Sequence, residues 1–217
     1  MYIHHMKCSL LFLFSIALNL PLGYAAADST ISVRTTTIVV VGDSLAEGLG
    51  VASEESFPSV LEALLGKDVK VVNGGVSGAT SASALQRIKW FEKSKPAIII
   101  LELGGNDMLR GLSPAKTMDN LAKAIDYAKS KGMTVLLAGM RAAPNMGKSY
   151  TAAFDRIFPD LARKKGVALI PFILEGVACE PSMNQPDGIH PNAAGQRKIA
   201  EILAQPLRVL MRAETPR

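Results

Sequence analysis

Short apolar runs alternate along the chain with longer stretches whose apolar residues recur at helical spacing. Thr37 to Val41 is the first such run, with no polar alternation inside it. That pattern suits a strand covered on both faces. Phe57 to Leu65 reads as a helix, with Ser56 placed to cap it and Pro58 near its start. Val69 to Val72 is the second strand, Ser81 to Phe91 a helix, and Ala97 to Leu103 a third strand, apolar except for Glu102. Ser113-Pro114 opens a helix to about Lys131, stopped by Gly132. Met133 to Ala138 is the fourth strand. Tyr150 to Lys165 reads as one helix ended by Gly166, Val167 to Ile170 as a short fifth strand, and Asn192 to about Met211 as the last helix. Strands separated by helices predict an α/β fold with a five-stranded parallel sheet, helices on both faces and right-handed crossovers.

Ligands of such sheets bind beyond the carboxyl ends of the strands. The polar, glycine-rich segments fall at those ends: Gly42-Asp43-Ser44-Leu45 after the first strand, Asn73 to Thr80 after the second, Gly104-Gly105-Asn106-Asp107 after the third.

The first 27 residues stand apart from this pattern. Lys7 supplies a positive start, Leu10 to Leu20 an apolar stretch broken by Pro21, and Ala25-Ala26-Ala27 small residues for cleavage. This predicts a secretory signal peptide, with one domain over residues 28–217 and a periplasmic or secreted location. The apolar stretch is short for a membrane span. Cys8 lacks the surroundings of a lipid anchor, so stable membrane insertion after cleavage is not expected. Loss of the leader removes His4, His5 and Cys8, leaving His190 and Cys179 as the one histidine and one cysteine. No internal disulfide can then form, and Cys179 reads as a small packing residue. A lone imidazole cannot build a histidine metal cluster, so neither a metal nor a cofactor is expected. The formal charge is +5, but the basic residues are scattered and no basic patch is interleaved with aromatics, which argues against a nucleic-acid partner.

That imidazole can serve as a proton shuttle. His190 lies in Asp187-Gly188-Ile189-His190-Pro191; if these residues form one turn, Asp187 can hold one ring nitrogen and leave the other for a serine. Ser44, at a strand-to-helix corner, is the candidate nucleophile, since a hydroxyl attacks only when a base takes its proton. The same position also suits a plain helix cap. Gly75-Val76-Ser77-Gly78-Ala79 approaches the nucleophile elbow of α/β-hydrolases. Ser77 is discounted, because that fold needs a longer sheet and an acid well before its histidine. Asn106 can donate its amide to a developing oxyanion, and Asp107 is expected to orient neighbouring loop backbone.

Together these blocks resemble the SGNH, or GDSL, hydrolase superfamily over nearly all of the chain after the leader. Within it the chain is similar to the bacterial periplasmic thioesterase I, lysophospholipase L1 and arylesterase group. That likeness is carried by Val71-Val72-Asn73 with Val76-Ser77-Gly78, by Leu101 to Asp107, by Leu109-Arg110-Gly111 and by the Arg141 to Tyr150 loop. The resemblance implies a flavodoxin-like three-layer α/β/α fold, a Ser44–His190–Asp187 triad, and an oxyanion hole from the N–H of Ser44, the N–H of Gly78 and the side chain of Asn106. It implies no metal and a broad acyl-ester preference.

The expected reaction is cleavage of small acyl esters or thioesters through an acyl-enzyme on Ser44, falling off in acid as His190 takes up a proton. Met108, Leu109 and Leu112, with Ala142, Ala143, Pro144 and Met146, can wall an acyl groove, with Leu109 and Pro144 the expected acyl contacts. A carbohydrate O-deacetylase is the alternative, though aromatics are 6% and Trp90 is the single tryptophan, which weighs against sugar stacking. A non-catalytic binding module is a further alternative; it should have lost Ser44, Asn106 or His190, and all are present.

Overall fold

The computed structural model describes residues 35–214; the expected leader lies outside the described residues. Strand β1 (Thr36–Gly42) leads into a one-turn helix α1 (Ser44–Glu47), then α2 (Phe57–Leu65) and β2 (Val69–Gly75). Helix α3 (Ala84–Phe91) precedes β3 (Ile98–Glu102), which is followed by the short α4 (Gly105–Leu109) and the long α5 (Pro114–Ser130). Then come β4 (Thr134–Ala138), α6 (Lys148–Asp155), α7 (Ile157–Lys165), β5 (Ala168–Ile170) and α8 (Ala193–Glu214).

The five strands form one sheet in the order β2-β1-β3-β4-β5, every pair parallel. Helix α2 packs on α8, while α3, α5 and α7 pack together as a second layer. This is the expected three-layer arrangement. The continuous apolar runs became its centre: Ile38–Val41 of β1 and Ile98–Leu101 of β3 are wholly buried. Each such side chain contributes about 1.5–3 kcal/mol of transfer free energy, so these two strands make a stiff platform. The order reverses between β1 and β3, since β1 leads outward to β2 and β3 runs the other way. A crevice at that switch point is where such sheets bind ligands. No helix among the described residues is long and apolar enough to cross a membrane.

Several local expectations need correction. The helix expected over Tyr150 to Lys165 is two helices, broken at Arg156. Pro159 lacks an N–H, and its ring would meet the carbonyl four residues back, at Asp155, where α6 ends. Strand β2 continues to Gly75, so Asn73 and Gly74 belong to the strand rather than to the loop after it. Ser81 to Ser83 is a 3-10 turn preceding α3. Ser56 occupies the cap position of α2, but its hydroxyl donates to the Ser53 carbonyl (2.7 Å). The Phe57 N–H is taken instead by Oε1 of Gln196, 2.8 Å away and wholly buried in α8. Nε2 of the same amide donates to the Leu45 carbonyl (3.1 Å). One side chain thus ties α1 and α2 to the C-terminal helix.

Candidate active site

The corner after β1 is built tightly enough to dictate its residues. Asp43 caps α1, its Oδ1 accepting the Leu45 N–H at 3.0 Å, which makes Ser44 the first helical residue. A Cβ on Gly42 would lie 2.3 Å from Oε2 of Glu102, and one on Gly75 would lie 2.0 Å from the backbone nitrogen of Glu47. Only glycine lets β2 and the Glu102 carboxyl approach this closely. Glu102 Oε2 accepts the Asp43 N–H at 3.1 Å from beneath the corner. Ser44 remains at the surface edge, 9% exposed.

Beyond β2, Gly78 adopts a left-handed conformation (φ 75°), and its carbonyl accepts from Nη2 of Arg110 at 2.8 Å. The neighbouring Ser77 is occupied elsewhere: its N–H (2.7 Å) and its hydroxyl both donate to Oε2 of Glu47. Beyond β3, Gly104 (φ 128°) turns the chain into α4, and Asn106 donates from Nδ2 to Oδ2 of Asp43 at 3.1 Å. Asp107 points the other way. It accepts from the N–H (2.8 Å) and hydroxyl (2.5 Å) of Ser81 and from the Thr117 hydroxyl (3.0 Å), binding three segments together. The N–H groups of Ser44 and Gly78 donate to no backbone or side-chain acceptor among the described residues.

Asp187 to His190 form a closed turn. Oδ1 of Asp187 accepts the N–H of Ile189 and of His190, both at 3.0 Å, and Oδ2 meets Nδ1 of His190 at 2.7 Å. Gln185 holds the turn in place, donating from its N–H to the His190 carbonyl (2.8 Å) and from Nε2 to the Pro191 carbonyl (3.0 Å). The free ring nitrogen, Nε2 of His190, lies 3.0 Å from Oγ of Ser44. The Asp187 carboxyl is lowered to about 2, first by the His190 N–H, then by its ring, then by the Ile189 N–H. It is therefore an anion, which favours a proton on Nδ1 and leaves Nε2 facing Ser44.

The two buried carboxyls behind Ser44 move the other way. Burial raises Asp43 to about 6, against the pull of the Leu45 N–H, the Asn106 amide and the charge of His190. Burial, then the neighbouring Asp43, raises Glu102 well above the carboxylate range.

Ser44, Gly78, Asn106 and His190 all border one cavity of about 560 Å³. Leu109 and Pro144 line it, as do Met108, Ala142 and Ala143; Leu112 and Met146 do not. Part of its wall lies outside the segments expected to form it: Phe172, Leu174 and Ala178, from the loop between β5 and α8. That loop carries no periodic pattern, only short turns and a 3-10 turn at Pro181–Met183. Cys179 also departs from expectation. It is exposed at the cavity edge with φ 62°, not packed in the core. No group of three or more His, Cys, Asp or Glu side chains among the described residues is placed to hold a metal.

The pattern of the GDSL-like lipase/acylhydrolase family matches residues 40–198, which span every one of these groups. The chain belongs to that family. It is 41% identical to esterase TesA of Pseudomonas aeruginosa over 81% of this chain and 89% of that protein. It is 36% identical to thioesterase 1/protease 1/lysophospholipase L1 of Escherichia coli K12, over 81% and 85%. A solved structure, the crystal structure of TesA, superposes with a TM-score of 0.77 at 41% identity, over 81% of this chain and 99% of that one. That likeness agrees with the three-layer fold.

Proposed function

We propose that this member of the family, a carboxylic ester hydrolase, cleaves acyl esters and thioesters through a covalent acyl-enzyme on Ser44. The observation that carries the reading is the unbroken relay from Asp187 through His190 to the Ser44 hydroxyl, with 2.7 and 3.0 Å links. Oγ of Ser44 attacks the substrate carbonyl as Nε2 of His190 takes its proton. The carbonyl oxygen becomes an oxyanion facing the N–H of Ser44, the N–H of Gly78 and the Asn106 amide. Two of those donors have no competing partner among the described residues. Collapse breaks the bond to the leaving alcohol or thiol, which receives the proton from His190. Water then attacks the acyl-enzyme with His190 as base, releasing the acid. The ionised Asp187 stabilises the imidazolium in both halves.

The largely apolar cavity wall supports an acyl chain as the bound group, with Leu109 and Pro144 among its contacts. The esterase and thioesterase names of the relatives support the same substrate class. The leader-like composition of residues 1–27 supports export to the periplasm or medium, with residues 28–217 as a single catalytic domain.

The test is hydrolysis of p-nitrophenyl esters from acetyl to palmitoyl, and of acyl-CoA, by the protein beside Ser44→Ala and His190→Ala. The expected result is wild-type turnover, with kcat reduced in each variant by on the order of 10⁴-fold or more. Unchanged turnover in a folded Ser44→Ala protein removes the proposed mechanism.

A further inference from the structure

The Asn106 amide is asymmetric, with donors on one side and an acceptor on the other, and its terminal torsion is soft. Its use as an oxyanion donor requires that the nitrogen, not the oxygen, face the reacting carbonyl. Something must select that orientation, and among the described residues Asp43 is the side chain bonded to the amide. Oδ2 of Asp43 accepts one hydrogen of Asn106 Nδ2 at 3.1 Å, and Asp43 is 2% exposed. The other Asp43 oxygen is taken by the Leu45 N–H at 3.0 Å, so the carboxylate cannot turn away without uncapping α1. Its backbone is pinned from below by Glu102, whose carboxyl fits only because residue 42 has no side chain. Asp43 lines the same cavity as Asn106 and Ser44.

We infer that Asp43 is a positioning residue: its carboxylate sets which way round the Asn106 amide sits and so makes Asn106 a donor to the oxyanion. This rests on the oxyanion role proposed above for Asn106. An ionised carboxylate only accepts, so it admits the NH₂ end of the amide and rejects the carbonyl end. With one amide hydrogen bound to Asp43, the second lies in the amide plane on the other side of the same nitrogen, free for substrate. The negative charge itself opposes a nearby oxyanion. The benefit of Asp43 is therefore directional, passing through Asn106, and the reaction gains nothing from its charge.

Asp43→Asn isolates this idea. One end of the new amide must still accept the Leu45 N–H, which leaves its NH₂ facing Asn106. The Asn106 amide then turns its oxygen toward position 43 and presents a lone pair where the oxyanion forms. The experiment is a double-mutant cycle on ester hydrolysis, with Asp43→Asn, Asn106→Ala and the pair, each checked for folding by thermal melting. Asn106→Ala is expected to lower kcat by about 10²–10³-fold with little change in KM. Asp43→Asn is expected to lower kcat comparably, and to change it by less than about threefold when Asn106 is already alanine.

An equal loss from Asp43→Asn in both backgrounds shows that Asp43 acts independently of Asn106 and overturns the inference. Wild-type kcat in Asn106→Ala overturns the oxyanion role beneath it, a separate outcome read from the single variant. If Asp43→Asn does not fold, the wild-type protein labelled with ¹⁵N-asparagine decides the matter. One Asn106 side-chain hydrogen should be shifted downfield and protected from solvent exchange. A pair exchanging as fast as surface asparagines overturns the inference.

Discussion

Asp43 and Asp187 stand on opposite sides of the Ser44–His190 pair, and both feel the charge of His190. Asp187 sits in a surface turn with its side chain 45% exposed; Asp43 is 2% exposed at the end of a central strand. Three donors converge on Asp187 and lower it to about 2. Two donors meet Asp43, yet burial outweighs them and lifts it to about 6. The same side chain is thus adapted to two tasks. In the proposed mechanism Asp187 must stay charged while the imidazole gains a proton, and it is placed in water among N–H groups. Asp43, inferred above to hold the direction of the Asn106 amide, is placed in the core between two donors, at an electrostatic cost.

The largest effect that separates the two belongs to Asp187→Asn. An amide there no longer imposes the tautomer with Nδ1 protonated, nor stabilises the imidazolium. The expected loss in kcat is about 10³–10⁴-fold, measured on any ester the wild-type protein turns over. A loss below tenfold shows that water substitutes for this exposed carboxylate, and the contrast with a buried acid widens.

A smaller effect is thermodynamic. The folded value of Asp43 lies above the ordinary aspartate value of 3.8, so the folded state holds that proton more tightly than the unfolded one. Its contribution to stability is full below 3.8 and is lost as the pH rises through about 6. The amide in Asp43→Asn does not titrate, so the melting temperature of that variant relative to wild type should climb between acid and neutral pH. Asp187 has the opposite sign: its contribution is present above 3.8 and is lost as pH falls through about 2. The Asp187→Asn deficit should therefore shrink only in strong acid. Melting curves of the three proteins across pH check both slopes, and parallel curves contradict the opposed environments.

The smallest effect lies in the cavity wall. Leu109 is 55% exposed, so Leu109→Ala should leave stability within about 0.5 kcal/mol. If it touches the acyl chain, KM for long-chain esters should rise severalfold while acetyl ester kinetics hold. An equal change for both chain lengths removes Leu109 from the acyl contacts.

What the sequence disclosed and concealed follows the range of the interactions. The runs Thr37 to Val41 and Ala97 to Leu103 announce central strands, because burial on both faces leaves no room for alternation. The blocks around Ser44, Asn106 and His190 were legible because each is local and sits where a strand ends. The split at Arg156 was hidden by an apolar spacing that continues through Pro159. Phe172, Leu174 and Ala178 reach the cavity from a loop without periodicity. The Asp43–Asn106 contact bridges 63 positions, and nothing local to Asp43 distinguishes a cap that also orients an amide from a cap alone.

Gln196 carries a consequence in time. It joins α8 to the Leu45 carbonyl and the Phe57 N–H across 151 and 139 positions, and His190 reaches Ser44 across 146. A chain folded only as far as the sheet holds Ser44 without the His190 contact and without the clamp on its helix. With Ser44 as the proposed nucleophile, turnover requires the His190 turn in place beside a clamped α1, so activity would report completion of the C-terminal part of the fold.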